Sequence, residues 1–96
     1  MSKGYWITFY RKIINTDAMA AYAQLAAPAV ESGGGKFLVR TMSEKFYEAG
    51  LKERVVVIEF PSLEQAVATF EGPAYQAAKK LLDGAVERDI RIVQGT

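Results

Sequence analysis

Four short segments of the chain are rich in aromatic and β-branched residues, and helical segments separate the first from the second and the third from the fourth. The strand-like segments are residues 5–14, 36–42, 54–60 and 88–94. The helical segments are residues 15–32 and 62–84. This β-α-β-β-α-β order and the right-handed crossover preference predict an α+β fold of the ferredoxin-like type. We expect a four-stranded antiparallel sheet with two helices on one face, in a single domain over residues 1–96.

Local signals mark where the predicted helices begin and end. Asn15 or one of the two residues after it is a candidate N-cap for the first helix, and Pro28 predicts a kink or a restart in its last turn. Ser62 opens a capping box, S-L-E-Q, at the start of the second helical segment. Pro73 suits the first position of a further helical piece, which Gly84 is placed to end.

Three consecutive glycines, Gly33 to Gly35, raise the question of a phosphate-binding loop. Such a loop places its glycines after a strand and before a helix, where backbone N–H groups point at the anion. Here a predicted helix precedes the glycines and a predicted strand follows them. The order therefore favours a structural role, in which a left-handed residue ends the helix and the chain returns into the sheet.

Composition excludes several classes of function. The chain contains no histidine and no cysteine, so we expect no metal site, no haem ligand, no thiolate nucleophile and no other cofactor. Interspersed charges and a net charge of +1 argue against nucleic acid as a partner. The N-terminal apolar run is short and interrupted by charges, which argues against a membrane span. The absence of cysteine favours the reducing cytoplasm as the location of the protein.

The predicted sheet has two apolar faces, although helices cover only one. Period-two alternation predicts that the residues beneath the helices are Ile7, Phe9, Val39, Val56, Ile58, Phe60, Ile90 and Ile92. It predicts that the opposite face carries Trp6, Thr8, Tyr10, Leu38, Arg40, Met42, Val55, Val57, Glu59, Arg91 and Val93. Because this second face is half apolar, we expect a second copy of the chain to cover it in a homodimer. A monomer with some exposed apolar residues is the alternative.

Several stretches together resemble one bacterial family. They are "GGGKFLVR", "RVVVIEFPSLEQAVATF", "GPAYQAAKK" and the closing "IRIVQG". The sequence resembles the domain of unknown function 1330 family, within the dimeric α/β-barrel superfamily. The resemblance implies that two ferredoxin-like subunits join through their sheets into a barrel. Related families include cofactor-free monooxygenases, lactone isomerases, and haem-degrading and chlorite-decomposing enzymes, but a shared fold does not transfer function.

Two departures from that family pattern limit what the resemblance implies. Relatives often carry glycines directly after the arginine of "FLVR", whereas Thr41 and Met42 stand here. This difference alters the expected loop shape near the pocket mouth. The absence of histidine makes the haem-dependent and histidine-dependent members poor models for the chemistry of this chain.

Arg40 and Glu59 are the candidate catalytic residues, since alternation places them on one sheet face that a dimer would bury. Arg40 would anchor a carboxylate or an enolate-like oxygen through its planar fork, and Glu59 would be the base. An apolar barrel raises the pKa of a glutamate, while a nearby arginine lowers it. A structural ion pair between the two residues is an equally good interpretation.

Aromatic and hydroxyl side chains are further candidates for ligand contacts. Trp6, Thr8, Tyr10 and Tyr75, together with Arg40, are predicted to line a cavity that selects a small anionic or aromatic metabolite. Core packing is the competing interpretation for each of the aromatic residues.

Two functions from different classes follow from these residues. The first is a cofactor-free enzyme, acting on a small organic acid by proton abstraction or isomerisation or in a monooxygenase-like reaction. The second is a non-catalytic dimeric module that binds a ligand or a partner. A deep polar cavity favours the first, and a barrel interior filled by side chains favours the second.

Overall fold

Seven elements form the fold in a computed structural model that describes residues 2–96. In chain order they are β1 (Gly4–Ile13), α1 (Thr16–Ser32), β2 (Lys36–Met42), β3 (Arg54–Phe60), α2 (Leu63–Glu71), α3 (Pro73–Lys80) and β4 (Val86–Gln94). The strands form one antiparallel sheet in the order β2-β3-β1-β4. The predicted ferredoxin-like architecture is confirmed, with the second helical segment divided into α2 and α3.

The helix ends follow the capping signals of the sequence. The Asn15 side chain accepts a hydrogen bond from the N–H of Ala18 at 3.0 Å, and the Ser62 hydroxyl accepts one from the N–H of Gln65 at 3.1 Å. Pro73 is the first residue of α3, where its missing N–H costs nothing. The expected restart at Pro28 is wrong, because α1 is one helix through that residue. The predicted end at Gly84 is also displaced, because α3 ends at Lys80 and hydrogen-bonded turns continue from there to the left-handed Gly84.

The glycine run ends α1 and leads directly into β2. Gly34 has a φ of 92°, a left-handed conformation that other residues rarely adopt. Gly35 packs so closely on Val30 and Phe60 that a Cβ atom would lie 2.6 Å from the Val30 side chain and 2.8 Å from the Phe60 ring. The prediction of a structural role for these glycines is confirmed.

The side chains of β1 face the opposite way from the prediction. Trp6 lies between Ile58 of β3 and Ile92 of β4, and directly paired residues share a face. Trp6 and Ile58 are both buried beneath the helices. Ile7 and Phe9 therefore lie on the other face. The residues of β1 on the helix side are Trp6, Thr8 and Tyr10.

A β-bulge at Leu38 changes the orientation of β2. Phe37 pairs with Ile58 and Val39 with Val57, so one extra residue lies between two consecutive pairs. As a result Arg40 pairs with Val56 and points to the helix side, while Val39 points away from it. The predicted orientations of Arg40, Met42 and Val39 are wrong for this reason.

An aromatic cluster forms the centre of the core between the helices and the sheet. The Trp6 ring meets the Tyr75 ring edge to face at 4.6 Å and the Phe70 ring at 5.2 Å, and it stacks on Phe60 at 6.3 Å. Trp6, Phe60 and Tyr75 are almost completely buried. This cluster fixes α2 and α3 on the sheet.

The sheet face opposite the helices carries a band of apolar side chains, which we call the open face. Its apolar members are Tyr5, Ile7, Phe9, Val39, Val55, Val57 and Val93. Phe9, Val39 and Val93 are 44%, 38% and 43% exposed. Although several of its residues differ from the predicted set, this face is as apolar as the sequence indicates.

Candidate functional site

A cavity of about 60 Å³ lies between α1 and the helix side of the sheet. α1 packs against α3 and α2, and its backbone stands off the strands. The α1 residues above the cavity include Ala23, Ala26 and Ala27, whose short side chains leave this volume unfilled. The other lining residues are Trp6, Thr8, Tyr10, Met19, Tyr22, Val30, Phe37, Arg40, Arg54, Val56, Ile58 and Arg88. The mouth lies where Ala23 and Arg40, the exposed lining residues, meet solvent.

A three-residue hydrogen-bond network forms one wall of the cavity. The Tyr22 and Tyr75 hydroxyl oxygens lie 2.7 Å apart. Arg88 of β4 donates from Nη1 to the Tyr22 hydroxyl at 3.3 Å and from Nη2 to the Tyr75 hydroxyl at 2.9 Å. Arg88 also lies over the Tyr22 ring, 5.4 Å from its centroid. The two hydroxyl oxygens thus fill the guanidinium fork as a carboxylate would.

The cavity lining is cationic. Arg40, Arg54 and Arg88 contribute guanidinium groups, and no Asp or Glu of residues 2–96 is among the lining residues. The two ion pairs within residues 2–96 lie outside the cavity, between Lys3 and Glu59 and between Arg91 and Asp89. Burying positive charge without a carboxylate is costly unless an anion or strong hydrogen-bond acceptors compensate it.

Burial sets the protonation of the tyrosines around this site. Removal from water raises the pKa of Tyr22, and the neighbouring Tyr75 raises it further. Burial likewise raises the pKa of Tyr75 and of Tyr10, although Arg88 opposes the shift in Tyr75. Burial favours a lower pKa for Arg88, but Tyr75 and Tyr22 outweigh it and the pKa is raised. At neutral pH the site therefore holds neutral hydroxyl groups beside a charged guanidinium.

Alkaline pH is expected to destabilise the fold through Tyr22. A raised pKa means that the folded state keeps its proton where the unfolded state loses it, so the stabilisation is complete below about pH 10 and falls above it. Urea unfolding at pH 9 and pH 11 measures the loss. The loss should be smaller in Tyr22→Phe than in the parent, whereas Tyr47→Phe, at a 77% exposed tyrosine, should behave like the parent. An equal loss in all three proteins would contradict the shift.

Four of the residues predicted for the site line this one cavity: Trp6, Thr8, Tyr10 and Arg40. The Trp6 indole N–H donates to the Thr8 hydroxyl at 3.1 Å, so both polar atoms are satisfied. Arg40 lies over the Phe37 ring at 4.3 Å from its centroid. Tyr75 reaches the site through its hydroxyl contacts to Tyr22 and Arg88.

Glu59 is not part of this cavity. It lies on the open face, where the Tyr5 hydroxyl donates to its carboxylate at 3.3 Å and the Lys3 ammonium lies 3.6 Å away. Arg40 lies on the helix side, so the expectation that these two residues share a face is wrong. The reason is the bulge at Leu38, which puts Arg40 out of phase with simple alternation.

Sequence reasoning missed Tyr22, Arg54 and Arg88. Tyr22 belongs to the apolar face of the predicted first helix, where a tyrosine is easily taken for packing alone. Arg88 carries the clearest signal, because it alternates with Ile90 and Ile92 and so places a charge on a buried apolar face. Arg54 stands at the first position of β3, next to the loop.

Residues 2–96 contain neither a metal-binding cluster nor a helix that could span a membrane. No group of three or more Asp and Glu side chains in this part of the chain is placed to hold a metal ion. None of the described helices combines the length and apolar character that crossing a bilayer requires.

The chain matches the family model described as Domain of unknown function (DUF1330) over residues 3–96. No functionally curated protein matches it. Among solved structures, RPA0582 from Rhodopseudomonas palustris, a protein of unknown function, is 23% identical with a TM-score of 0.68, over 97% of this chain and 80% of that chain.

Two further solved structures share the fold. A protein from Bacteroides fragilis, described as dimeric, ferredoxin-like and of unknown function, is 13% identical with a TM-score of 0.63, over 96% of this chain and 95% of that chain. An ethyl tert-butyl ether D family protein from Bacillus halodurans is 13% identical with a TM-score of 0.69, and the match covers 100% of both chains. At these identities the similarities establish the fold alone.

Proposed function

We propose that this chain, which belongs to the family described as Domain of unknown function (DUF1330), forms a homodimer and binds a small organic anion in the cavity beneath α1. One observation carries the proposal: three guanidinium groups and no carboxylate of residues 2–96 line a cavity whose remaining walls are mostly apolar. An anion would offset the positive charge, and an apolar body would pack on the aromatic floor.

Each proposed ligand contact has a distinct chemistry. Arg40 and Arg54 stand toward the sheet edge and attract negative charge. Trp6 and Tyr10 form the floor, and Thr8 is occupied by its bond to Trp6. Tyr75 contributes indirectly, by holding Tyr22 and Arg88 in place. Arg40, Trp6 and Tyr10 are therefore the proposed direct ligand contacts, and Thr8 and Tyr75 are proposed to support them.

Catalysis by a cofactor-free route is the second candidate, and the Tyr22 hydroxyl favours it. A neutral donor backed by a guanidinium suits the stabilisation of negative charge that develops on a substrate oxygen. Among residues 2–96, however, the lining provides no carboxylate or imidazole to act as a base. We therefore leave Glu59 out of this site and place any proton acceptor in the solvent or on the ligand.

The open face supports the homodimer. Its apolar band includes Phe9, Val39 and Val93, all more than a third exposed, at the centre and on both sides of the sheet. Covering such a surface with a second copy removes it from water without requiring another partner. The B. fragilis protein, which shares this fold, is described as dimeric.

Arg40→Met tests anion binding at the mouth of the cavity. In the parent, benzoate should raise the melting temperature in a saturable way, while neutral benzyl alcohol should not. At ten times the Kd, mass action gives about 1.4 kcal/mol, or about 5–10 °C for a domain of this size. We expect Arg40→Met to weaken the benzoate response severalfold with the fold intact, because this side chain is exposed.

Lys80→Met is the matched control, since Lys80 is an exposed residue of α3 outside the cavity lining and the charge change is the same. It should leave the benzoate response unchanged. Equal weakening in the two variants would reduce the role of Arg40 to general electrostatics. A parent protein that responds to no small organic anion would contradict the proposed function.

A further inference from the structure

In the hydrogen-bond network of Tyr22, Tyr75 and Arg88, the hydroxyl group that faces the cavity is that of Tyr22. Of the two paired tyrosines, only Tyr22 is among the lining residues. Either hydroxyl can donate across the 2.7 Å contact between Tyr22 and Tyr75. In the arrangement where Tyr75 donates to the Tyr22 oxygen and Arg88 donates to both oxygens, the Tyr22 proton is left for the cavity. The Tyr22 oxygen then accepts two hydrogen bonds, which makes its own proton a stronger donor.

The end-on fork of the Arg88 guanidinium, formed by its two terminal nitrogens, is already occupied and not open to a carboxylate. Both of its terminal nitrogens already donate to hydroxyl oxygens, at 3.3 Å and 2.9 Å. A ligand at the Tyr22 hydroxyl therefore meets the positive charge of Arg88 through that hydroxyl rather than through the end-on fork. This arrangement suits one charged oxygen atom better than the two oxygens of a carboxylate.

We propose that the cavity selects weakly acidic hydroxyl ligands, phenols or enols, and binds them as the oxyanion with the Tyr22 hydroxyl donating to the charged oxygen. The inference rests on the proposed function and names its ligand class. On binding, the O–H bond of the ligand breaks, the proton passes to water, and the electron pair stays on the ligand oxygen. The protein thus makes its ligand a stronger acid.

The titratable groups that line the cavity, or contact its lining as Tyr75 does, all favour the charged form of the ligand oxygen. They come from every element packed around the cavity: Tyr10 of β1, Tyr22 of α1, Arg40 of β2, Arg54 of β3, Tyr75 of α3 and Arg88 of β4. These are three cations and three hydroxyl groups, and no carboxylate of residues 2–96 opposes them. A cationic, partly dry site stabilises an oxyanion relative to its neutral acid.

The volume of the cavity determines how such a ligand is oriented in it. A cavity of about 150 Å³ accepts benzene, so the cavity of about 60 Å³ here holds the oxygen end rather than a whole ring. The rest of the ligand extends toward the mouth, where Arg40 is stacked on Phe37. Ala23 and Ala27 face this path with side chains too short to block it.

The test uses 4-nitrophenol, whose ionised form absorbs visible light. Titration of the probe against pH, with and without the full-length protein, gives its apparent pKa in each case. We expect the protein to lower the apparent pKa of the probe by about one or more, which is a tenfold or greater preference for phenolate over phenol. 4-Nitroanisole, which cannot ionise, should bind at least tenfold more weakly than the phenolate.

Tyr22→Phe and Tyr75→Phe form the matched pair of variants. Both remove the same hydroxyl–hydroxyl bond, but only the first removes the donor that faces the cavity. We expect Tyr22→Phe to lose about tenfold or more of the phenolate preference and Tyr75→Phe to lose distinctly less.

The outcomes separate this inference from the proposed function. An unchanged apparent pKa of 4-nitrophenol, with a protein that benzoate still stabilises saturably, overturns the inference and leaves anion binding in place. Equal losses in the two tyrosine variants, in proteins that melt as the parent does, also overturn it. Failure of both 4-nitrophenolate and benzoate to bind overturns the inference together with the proposed function.

Discussion

Val57→Asp is expected to convert the proposed dimer into a monomer. Val57 lies at the centre of the open face, paired with Ile7 on one side and Val39 on the other. A two-fold interface repeats the substitution on both subunits. An unpaired charge buried in an interface costs about 3–5 kcal/mol, so the dissociation constant should rise by about a thousandfold or more.

Light scattering and sedimentation at micromolar concentration measure this change. The parent should show twice the chain mass, and Val57→Asp should show the chain mass. Leu25→Asp is the control, because Leu25 is 50% exposed on α1, which lies on the helix side of the sheet. It should remain dimeric. A monomeric parent, or a Val57→Asp variant that dimerises as tightly as the parent, would show that the open face is not the interface.

Trp6→Ala is expected to give the largest loss of stability. Trp6 is 1% exposed and contacts three other aromatic rings in the core. Replacing a buried aromatic residue by alanine costs about 3–5 kcal/mol, a large part of the stability of a small domain. Urea unfolding at a fixed protein concentration measures the loss, and the concentration must be fixed because assembly adds to stability.

Leu25→Ala is the control for this experiment. It shortens an apolar side chain that is half exposed, so the free energy of unfolding should change by less than about 1 kcal/mol. A loss in Trp6→Ala as small as in Leu25→Ala would mean that the aromatic cluster does not hold the helices on the sheet.

The element order and the helix starts could be predicted from the sequence, as could the end of α1, because their causes are local. Side chains near in the chain decide them: the Asn15 and Ser62 caps, the proline at the start of α3 and the left-handed Gly34. The apolar character of both sheet faces could be predicted for the same reason, since it needs only the composition of the strands.

Which side chains of β1 and β2 point toward the helices could not be predicted in this way. Both residue sets of β1 are apolar, so alternation indicates that two faces exist but not which one the helices cover. The choice is made by Phe70 and Tyr75, more than sixty residues later in the chain, which pack on Trp6. The site partners Tyr22 and Arg88 are equally distant in sequence, and only the tertiary fold brings them together.

The bulge at Leu38 has a consequence for how this site varies among relatives. The bulge leaves Leu38 without a partner on β3, while Phe37 and Val39 pair with the consecutive residues Ile58 and Val57. If Leu38 were deleted, an uninterrupted ladder would therefore keep the same pairs on both sides. β2 is an edge strand, so no second neighbour restrains its length there. A homologue one residue shorter at this point would present its arginine to the cavity in the same way. An alignment that forbids a gap at position 38 would therefore pair the wrong residues across the site.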